Sequence, residues 1–300
     1  MSLQFITGSC QSGKSTFLFN RIIKESIQNP EENFLIIVPE QFTMSTQKKL
    51  VELHPDHAFS NIEVLSFSRL SHRILEEIGG EDVPVLDDTG KNLIIRRVAG
   101  EVADSLVYVG GKLDRYGFVS EIKSAISEVM QYGYRPADVR SLAERASERK
   151  LLSMKLSDIA VIYEAFMKYK ADRFLTREET LDIVAKGLHK SELVKGATLV
   201  LDGFTGFTPI QEQVIRELMV LSREVIFTFT LPADADPCTA RSEEDMFWLC
   251  SRAARRIRAL ADDAGVITEE HVPCQRKADG GSMLDHLERH AFRYPTVPYA

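Results

Sequence analysis

Short apolar runs alternate with helical patterns along the first eighty residues. LQFITG (3–8), FLIIVP (34–39) and IEVLSF (62–67) read as strands. The second is apolar at almost every position, as expected for a strand of a parallel sheet covered on both faces. Between the first two, KSTFLFNRIIKESIQ (14–28) predicts a helix with Phe17, Leu18, Ile22 and Ile23 on one face, and NPEEN is a turn. A helix over about 43–53, capped by Thr43 or Ser45, follows the second strand. SRLSHRILEEIGG (68–80) predicts another, ended by glycine.

The pattern changes after residue 87. From about 88 to 195 the spacing is helical almost throughout: NLIIRRVAGEVADSL, FVSEIKSAISEVMQY, PADVRSLAERAS, LSDIAVIYEAFMKYKA and REETLDIVAKGL. No strand and no repeat of fixed period is expected there. ATLVLDGF (197–204) returns as a strand, QEQVIRELMVLS (211–222) as a helix and EVIFTFTLP (224–232) as another strand. A long helix is expected over 243–264, with Arg252, Arg255, Arg256 and Arg258 along one side, and FRYPTVPYA at the end is loop-like. This ordering predicts an α/β core from 1–87 and 196–233, an all-helical subdomain at 88–195 between its halves, and a linker with the start of a further domain at 234–300. A parallel sheet tolerates such an insertion because its crossovers already lie outside the sheet.

Composition narrows the classes. Of 300 residues, 44% are hydrophobic and 27% charged, which suits a soluble globular protein of one large or two ordinary domains. No apolar run approaches the roughly 20 residues that span a bilayer, and MSLQFITGS is not expected to be a signal peptide. Cys10, Cys238, Cys250 and Cys274 form no C-x-x-C pair, which points to a reducing cytoplasm. His286 and His290 are spaced i, i+4 with Cys274 near in sequence. No full metal-ligand set accompanies them, and solvated helix residues are the expected reading. The net charge of −7 is uneven: residues 91–195 hold 19 Lys/Arg and 15 Asp/Glu, a balance of +4, leaving −11 elsewhere. Nucleic acid is therefore not excluded, since binding needs only a local basic surface, although ordinary solvated helix faces explain the same numbers.

GSCQSGKST (8–16) fits the phosphate-loop pattern G-x-x-x-x-G-K-[ST], and it follows a strand and opens a helix as that loop must. In such a loop Gly8, Ser12, Gly13 and Thr16 belong to the cradle around the phosphates, Lys14 reaches the β and γ phosphates, and the Ser15 hydroxyl ligates Mg²⁺. ATP and Mg²⁺ are the expected ligands. Asp202, after the apolar run TLVL, is the expected acidic partner that holds Mg²⁺. The alternative is a helix-capping aspartate. Active ATPase motors place a Glu directly after this Asp to activate the attacking water, whereas this chain has Gly203. Loss of a general base slows such chemistry by about 10²–10⁴-fold. Glu40 is a conceivable substitute, with a structural or DNA-facing role as its alternative.

Four segments in order, GSCQSGKST, VPEQFTMSTQ, VLSFSRLSHRILEEIGG and LVLDGFTGFTPIQ, resemble the N-terminal part of the AddB family. AddB is the B-type subunit of the bacterial ATP-dependent helicase/deoxyribonuclease AddAB, the counterpart of RecBCD. The resemblance runs from residue 2 to about 231 and implies a P-loop, RecA-like core of the superfamily 1 helicase type. In active relatives the second acidic motif reads like DEFQDTNPxQ. Here it is DGFTGFTPIQ (202–211): Asp202, Pro209 and Gln211 match, and Gly203 stands in the Glu position. The loop begins at residue 8, which leaves no room for the adenine-reading glutamine motif of such helicases. Both departures point to a degenerate motor beside an active AddA-type subunit.

The same resemblance implies single-stranded DNA contacts. SFSRL (66–70) stands where relatives carry a TFHSF-like motif, so Ser66, Phe67, Ser68 and Arg69 are candidates, as are Gln41 and Thr43 of VPEQFT. Phe67 as core and Ser68 as a helix cap remain open alternatives. LTREETLDIV (175–184) stands where relatives read DFDDLL, with Glu179 and Asp182 expected in solvent or packing roles. The arginine stripe 252–258 is open to DNA contact or simple solvation. The nuclease domain and iron–sulfur cysteines of the family are expected only downstream of this chain, which is read as an N-terminal fragment. The function expected by resemblance is ATP binding within a helicase/exonuclease subunit for double-strand break repair, end resection and Chi recognition. An autonomous helicase and a P-loop kinase are the alternatives.

Overall fold

The computed structural model describes residues 1–79, 83–113, 115–171, 173–232, 235–275, 283–292, 294–295 and 297–299. In chain order its main elements begin with β1 (Ser2–Gly8), α1 (Lys14–Gln28), β2 (Phe34–Ile37), α2 (Thr43–Leu53), β3 (Ile62–Leu65) and α3 (Phe67–Ile78). A helical stretch follows: α4 (Asp88–Glu101), α5 (Tyr116–Gln131), α6 (Pro136–Arg145), α7 (Lys150–Lys170) and α8 (Arg177–Gly187). The chain then forms β4 (Thr198–Leu201), α9 (Pro209–Leu221), β5 (Glu224–Thr230), α10 (Trp248–Asp263), β6 (Ile267–Thr268), β7 (Val272–Pro273) and α11 (Met283–His290).

All strand pairs are parallel, in the order β3-β2-β4-β5-β1, with β6 and β7 along the far edge of β1. Every residue of β2 and β4 is buried, so both faces of the sheet are covered. Alternate side chains choose the face: Phe34, Ile36 and Val38, with Ile6, Val200 and Ile226, pack against Leu18, Phe19, Ile22 and Ile23 of α1. The strand order places the carboxyl ends of β2, β4, β5 and β1 side by side, and in a parallel sheet that edge is where ligands bind.

The chain divides into two compact units. The first comprises 1–70, 192–207 and 215–300 and contains the sheet; the second comprises 71–191 and 208–214. The second unit has its own core, in which Ile95, Val98 and Ala99 of α4, Ile122 and Ile126 of α5, and Ile162 and Phe166 of α7 are buried together. Its helix starts follow local chemistry. Asp87 accepts from the Gly90 amide at 2.6 Å, Pro136 opens α6, and Thr176 and Glu179 form a capping box on α8. No named strand falls between 88 and 195 among the described residues.

Several boundaries differ from the sequence expectation. Residues 71–87 group with the helical unit and not with the sheet unit. The segment after 233, expected as a linker and the start of a further domain, adds β6 and β7 to the sheet through Leu3–Thr268 and Ile6–Val272 registers. Two-residue strands carry too little periodicity to be seen in a sequence. The boundary residues 233 and 234 lie outside the described residues, as do Gly80 and, within FRYPTVPYA, Arg293, Thr296 and Ala300. The helix expected from 243 starts at Trp248, and the preceding chain is held in turns by Asp245, which accepts from Arg241 and the Phe247 amide.

Candidate functional site

β1 delivers the glycine loop directly into α1. Gly8 is required by crowding: a Cβ there would collide with the Cys274 carbonyl oxygen and the Ser12 hydroxyl. The edge strand β7 causes this, because the Cys274 amide donates to the Thr7 carbonyl at 2.6 Å and draws its own backbone against the loop. The loop then turns through Gln11 (φ 60) and Gly13 (φ 85), and the Ser12 amide donates to the Ser9 carbonyl at 3.3 Å. No side chain caps α1 and no acidic residue occupies its first turn, so its leading amides are left for an anion. The Ser12 hydroxyl oxygen is buried without a hydrogen-bond partner among the described residues.

Lys14 and Ser15 stand at the head of α1. The Lys14 ammonium donates to the Ser9 carbonyl at 2.9 Å. Burial pulls its pKa below the ordinary lysine value, and the Asp202 carboxylate opposes that shift. The Ser15 hydroxyl donates to Asp202 Oδ1 at 3.3 Å, and the Thr228 hydroxyl of β5 donates to the same oxygen. On the α2 side, Lys49 Nζ donates to the Thr16 hydroxyl at 2.9 Å. Lys14, Ser15, Lys49, Asp202 and Thr228 line a cleft of about 350 Å³ that also takes in Phe42 and Gly203. A lysine, a serine hydroxyl and an aspartate sharing a hydrogen bond form a donor set that fits a hydrated Mg²⁺ and a polyphosphate.

Gly203 follows Asp202 at φ 83, a left-handed conformation, with Pro39 and Phe42 beside it. Glu40 is not among the residues lining the cleft. It is exposed and lies 3.9 Å from the Arg69 guanidinium.

The six residues expected to face DNA lie after β2 and β3, which are paired strands, and they separate by exposure. Gln41, Ser68 and Arg69 are exposed. Thr43 is buried and its hydroxyl donates to the Glu40 carbonyl at 3.0 Å. Ser66 is buried and accepts from the Arg69 amide, so Ser66 caps α3 in place of Ser68. Phe67 is 7% exposed and packs edge-on against Phe204 and Phe207, the core reading of its two alternatives.

Other candidates resolve locally. Arg252, Arg255, Arg256 and Arg258 are exposed on α10, opposite the buried Ala253, Ala254 and Ile257. The Arg252 guanidinium lies 5.1 Å from the Trp248 ring centroid. His286 and His290 are ring neighbours at 4.6 Å, but no group of three metal-ligating side chains occurs among the described residues. Glu179 serves the α8 capping box and pairs with Lys170, and Asp182 pairs with Lys186. Thr228 and Lys49 escaped sequence reasoning. Thr228 had one faint signal, a polar residue inside an otherwise apolar buried strand.

Fold and site together define an α/β protein with a parallel sheet whose carboxyl edge carries a glycine–lysine loop and an aspartate hydrogen-bonded to it. The family description "ADDB, N-terminal" matches residues 5–288, and the chain belongs to that family. It is 38% identical over 303 residues to a protein of Lachnoclostridium phytofermentans, covering 98% of this chain and 26% of that protein. A protein of Acetivibrio thermocellus is 31% identical over 304 residues, covering 100% and 26% respectively. One of Bacillus cereus is 30% identical over 300 residues, covering 97% and 25%. Each of the three is named as the B-type subunit of an ATP-dependent helicase/deoxyribonuclease. The chain thus spans about a quarter of the length of these relatives. No helix among the described residues is long and apolar enough to cross a membrane.

Proposed function

We propose that this chain is the nucleotide-holding N-terminal part of a helicase/deoxyribonuclease subunit and is a degenerate motor. In this reading the sheet unit is a RecA-like core of the superfamily 1 type, and the helical unit is a subdomain inserted between β3 and β4. The observation that carries the proposal is the hydrogen bond from Ser15 to Asp202 at 3.3 Å, beside Lys14, on the carboxyl edge of the sheet. Lys14 and the loop amides of Gly8 to Thr16 hold the phosphates, while Ser15 and Asp202 hold Mg²⁺. Bound Mg²⁺ supplies charge neutralisation on the phosphates. Gly203 offers no side chain to orient or deprotonate water, and Glu40 stands outside the cleft. ATP is therefore retained and turned over slowly or not at all.

The whole subunit acts on DNA in double-strand break repair, with end resection and Chi recognition, beside an AddA-type motor subunit in the cytoplasm. Gln41, Ser68 and Arg69 are exposed where strand contact is proposed; Thr43, Ser66 and Phe67 support that surface from beneath. Nuclease chemistry and an iron–sulfur cluster belong to the downstream part of the subunit.

The test is equilibrium binding and turnover of Mg-ATP by the full-length subunit, alone and with single-stranded DNA. ATP binds, Lys14→Ala abolishes binding, and turnover stays at background. Strong DNA-stimulated turnover without a partner would show that another residue supplies the base.

A further inference from the structure

Lys49 is a second ammonium in the cleft that no step of the nucleotide reading uses. It lies on α2, one turn after Ser45, which also lines the cleft. Its Nζ donates to the Thr16 hydroxyl at 2.9 Å and lies 5.8 Å from the centroid of the Phe19 ring. No carboxylate pairs with it among the described residues. Asp202, the carboxylate among the cleft-lining residues, already accepts from Ser15 and Thr228. The lining therefore carries two ammonium groups against one carboxylate, within a chain whose net charge is −7. Lys49 is only partly buried and its ammonium is shared with no carboxylate among the described residues, so it remains able to meet an anion.

A purely structural role explains this poorly. Thr16 needs one donor, which any neutral side chain could supply, whereas an ammonium brings three. Thr16 also follows Ser15 directly, in the uncapped first turn of α1, so Lys49 is moored beside amides left for an anion. We propose that Lys49 is a polyphosphate-binding residue, held in place by Thr16, that grips a nucleoside di- or triphosphate from the α2 side while Lys14 grips it from the loop. The proposal rests on the reading of this cleft as the Mg-nucleotide site. It adds a determinant outside the phosphate-loop motif.

The experiment uses the full-length subunit and a fluorescent Mg-ATP analogue, displaced by ATP and separately by inorganic tripolyphosphate. Lys49→Gln weakens both competitors by about tenfold, the scale of one charge-assisted hydrogen bond. Lys49→Arg keeps the charge and stays within about threefold of wild type. The decline of affinity with salt is shallower in Lys49→Gln, because one cation has left the contact. If Lys49→Gln binds like wild type while Lys14→Ala does not bind, the Lys49 assignment is wrong and the cleft reading stands. If Lys49→Arg is as weak as Lys49→Gln, the lysine acts through shape alone and the assignment is also wrong. A wild-type subunit that binds neither analogue nor tripolyphosphate overturns both readings together.

Discussion

A Cβ placed on Gly203 would lie 3.6 Å from Cδ of Pro39. That is ordinary contact, as is the 3.9 Å to Cδ2 of Phe42, so a larger side chain would enter a space already lined by these two residues. The backbone adds a second obstacle, since φ 83 is left-handed and disfavours residues with a Cβ by about 1–2 kcal/mol. Gly203→Glu is thus expected to leave ATP turnover at background while lowering stability by about that amount. Steady-state ATPase assays and urea unfolding check both halves. A gain of a hundredfold or more in turnover would show that the missing carboxylate is the sole defect.

On the proposed reading, in which Ser15 and Asp202 together hold Mg²⁺, nucleotide affinity should depend on the metal. Chelation with EDTA should weaken ATP binding by the wild-type subunit by about tenfold or more, the scale of lost charge-assisted contacts. Asp202→Asn should bind about as weakly in Mg²⁺ as wild type does in EDTA, and should respond little to the chelator. Titration calorimetry of the two proteins in both buffers decides. An Asp202→Asn variant that still shows the full Mg²⁺ response would remove Asp202 from the metal site.

Lys91 and Glu178 form a buried ion pair in the helical unit, at 3.1 and 3.2 Å. Burial lowers the Lys91 pKa from its ordinary 10.5, and Glu178 opposes the shift. Glu178→Gln leaves the ammonium without its counter-charge and should cost about 3–5 kcal/mol. The sign with pH follows from the lowered value. The native state gives up the Lys91 proton before the unfolded chain does, so stability rises with pH between the lowered folded pKa and 10.5. The deficit of Glu178→Gln should therefore shrink between about pH 7 and about pH 10. Urea midpoints relative to wild type at the two pH values test this, and a deficit that grows with pH would contradict it.

Asp158, on α7, is 2% exposed and accepts three successive amides: Val107 at 3.0 Å, Tyr108 at 2.7 Å and Val109 at 2.8 Å. It anchors the connection between the short 3-10 turns Ala103–Ser105 and Gly110–Lys112. Asp158→Ala should speed hydrogen exchange at these amides by roughly 30- to 150-fold, corresponding to about 2–3 kcal/mol of lost local stability. Mass-spectrometric exchange on the segment 103–113 reads it directly. Unchanged exchange would mean that water replaces the carboxylate without loss.

The long elements were legible because each carries its own periodicity. Phe34 to Ile37 is uniformly apolar and forms a strand buried on both faces; Leu18, Ile22 and Ile23 share one helical face and meet the sheet there, whereas Phe17, expected on that face, is 46% exposed and Phe19 is buried in its place. The phosphate-loop pattern was legible because backbone cradles need glycine and lysine at set intervals. Short edge strands were not, since Ile267–Thr268 and Val272–Pro273 exist only as partners of β1. The caps were only partly legible. Ser66 and Ser68 are equivalent by type, and only the course of the chain out of β3 decided that the Ser66 oxygen meets the Arg69 amide.

The sequence by itself determined the strand and helix segments, the glycine–lysine loop, and the acidic residue that ends β4, because these depend on residues close together in the chain. Tertiary structure alone decided which distant groups meet. The parallel order β2-β4-β5-β1 brings Asp202 to Ser15 and Thr228, and the packing of α2 beside α1 brings Lys49 to Thr16. It also decided that Phe67 faces inward toward Phe204 and Phe207 while Ser68 and Arg69 face solvent. The physical reason is one of range: local propensity acts over a few residues, whereas strand order and the side a helix presents follow from burying apolar surface across the whole fold.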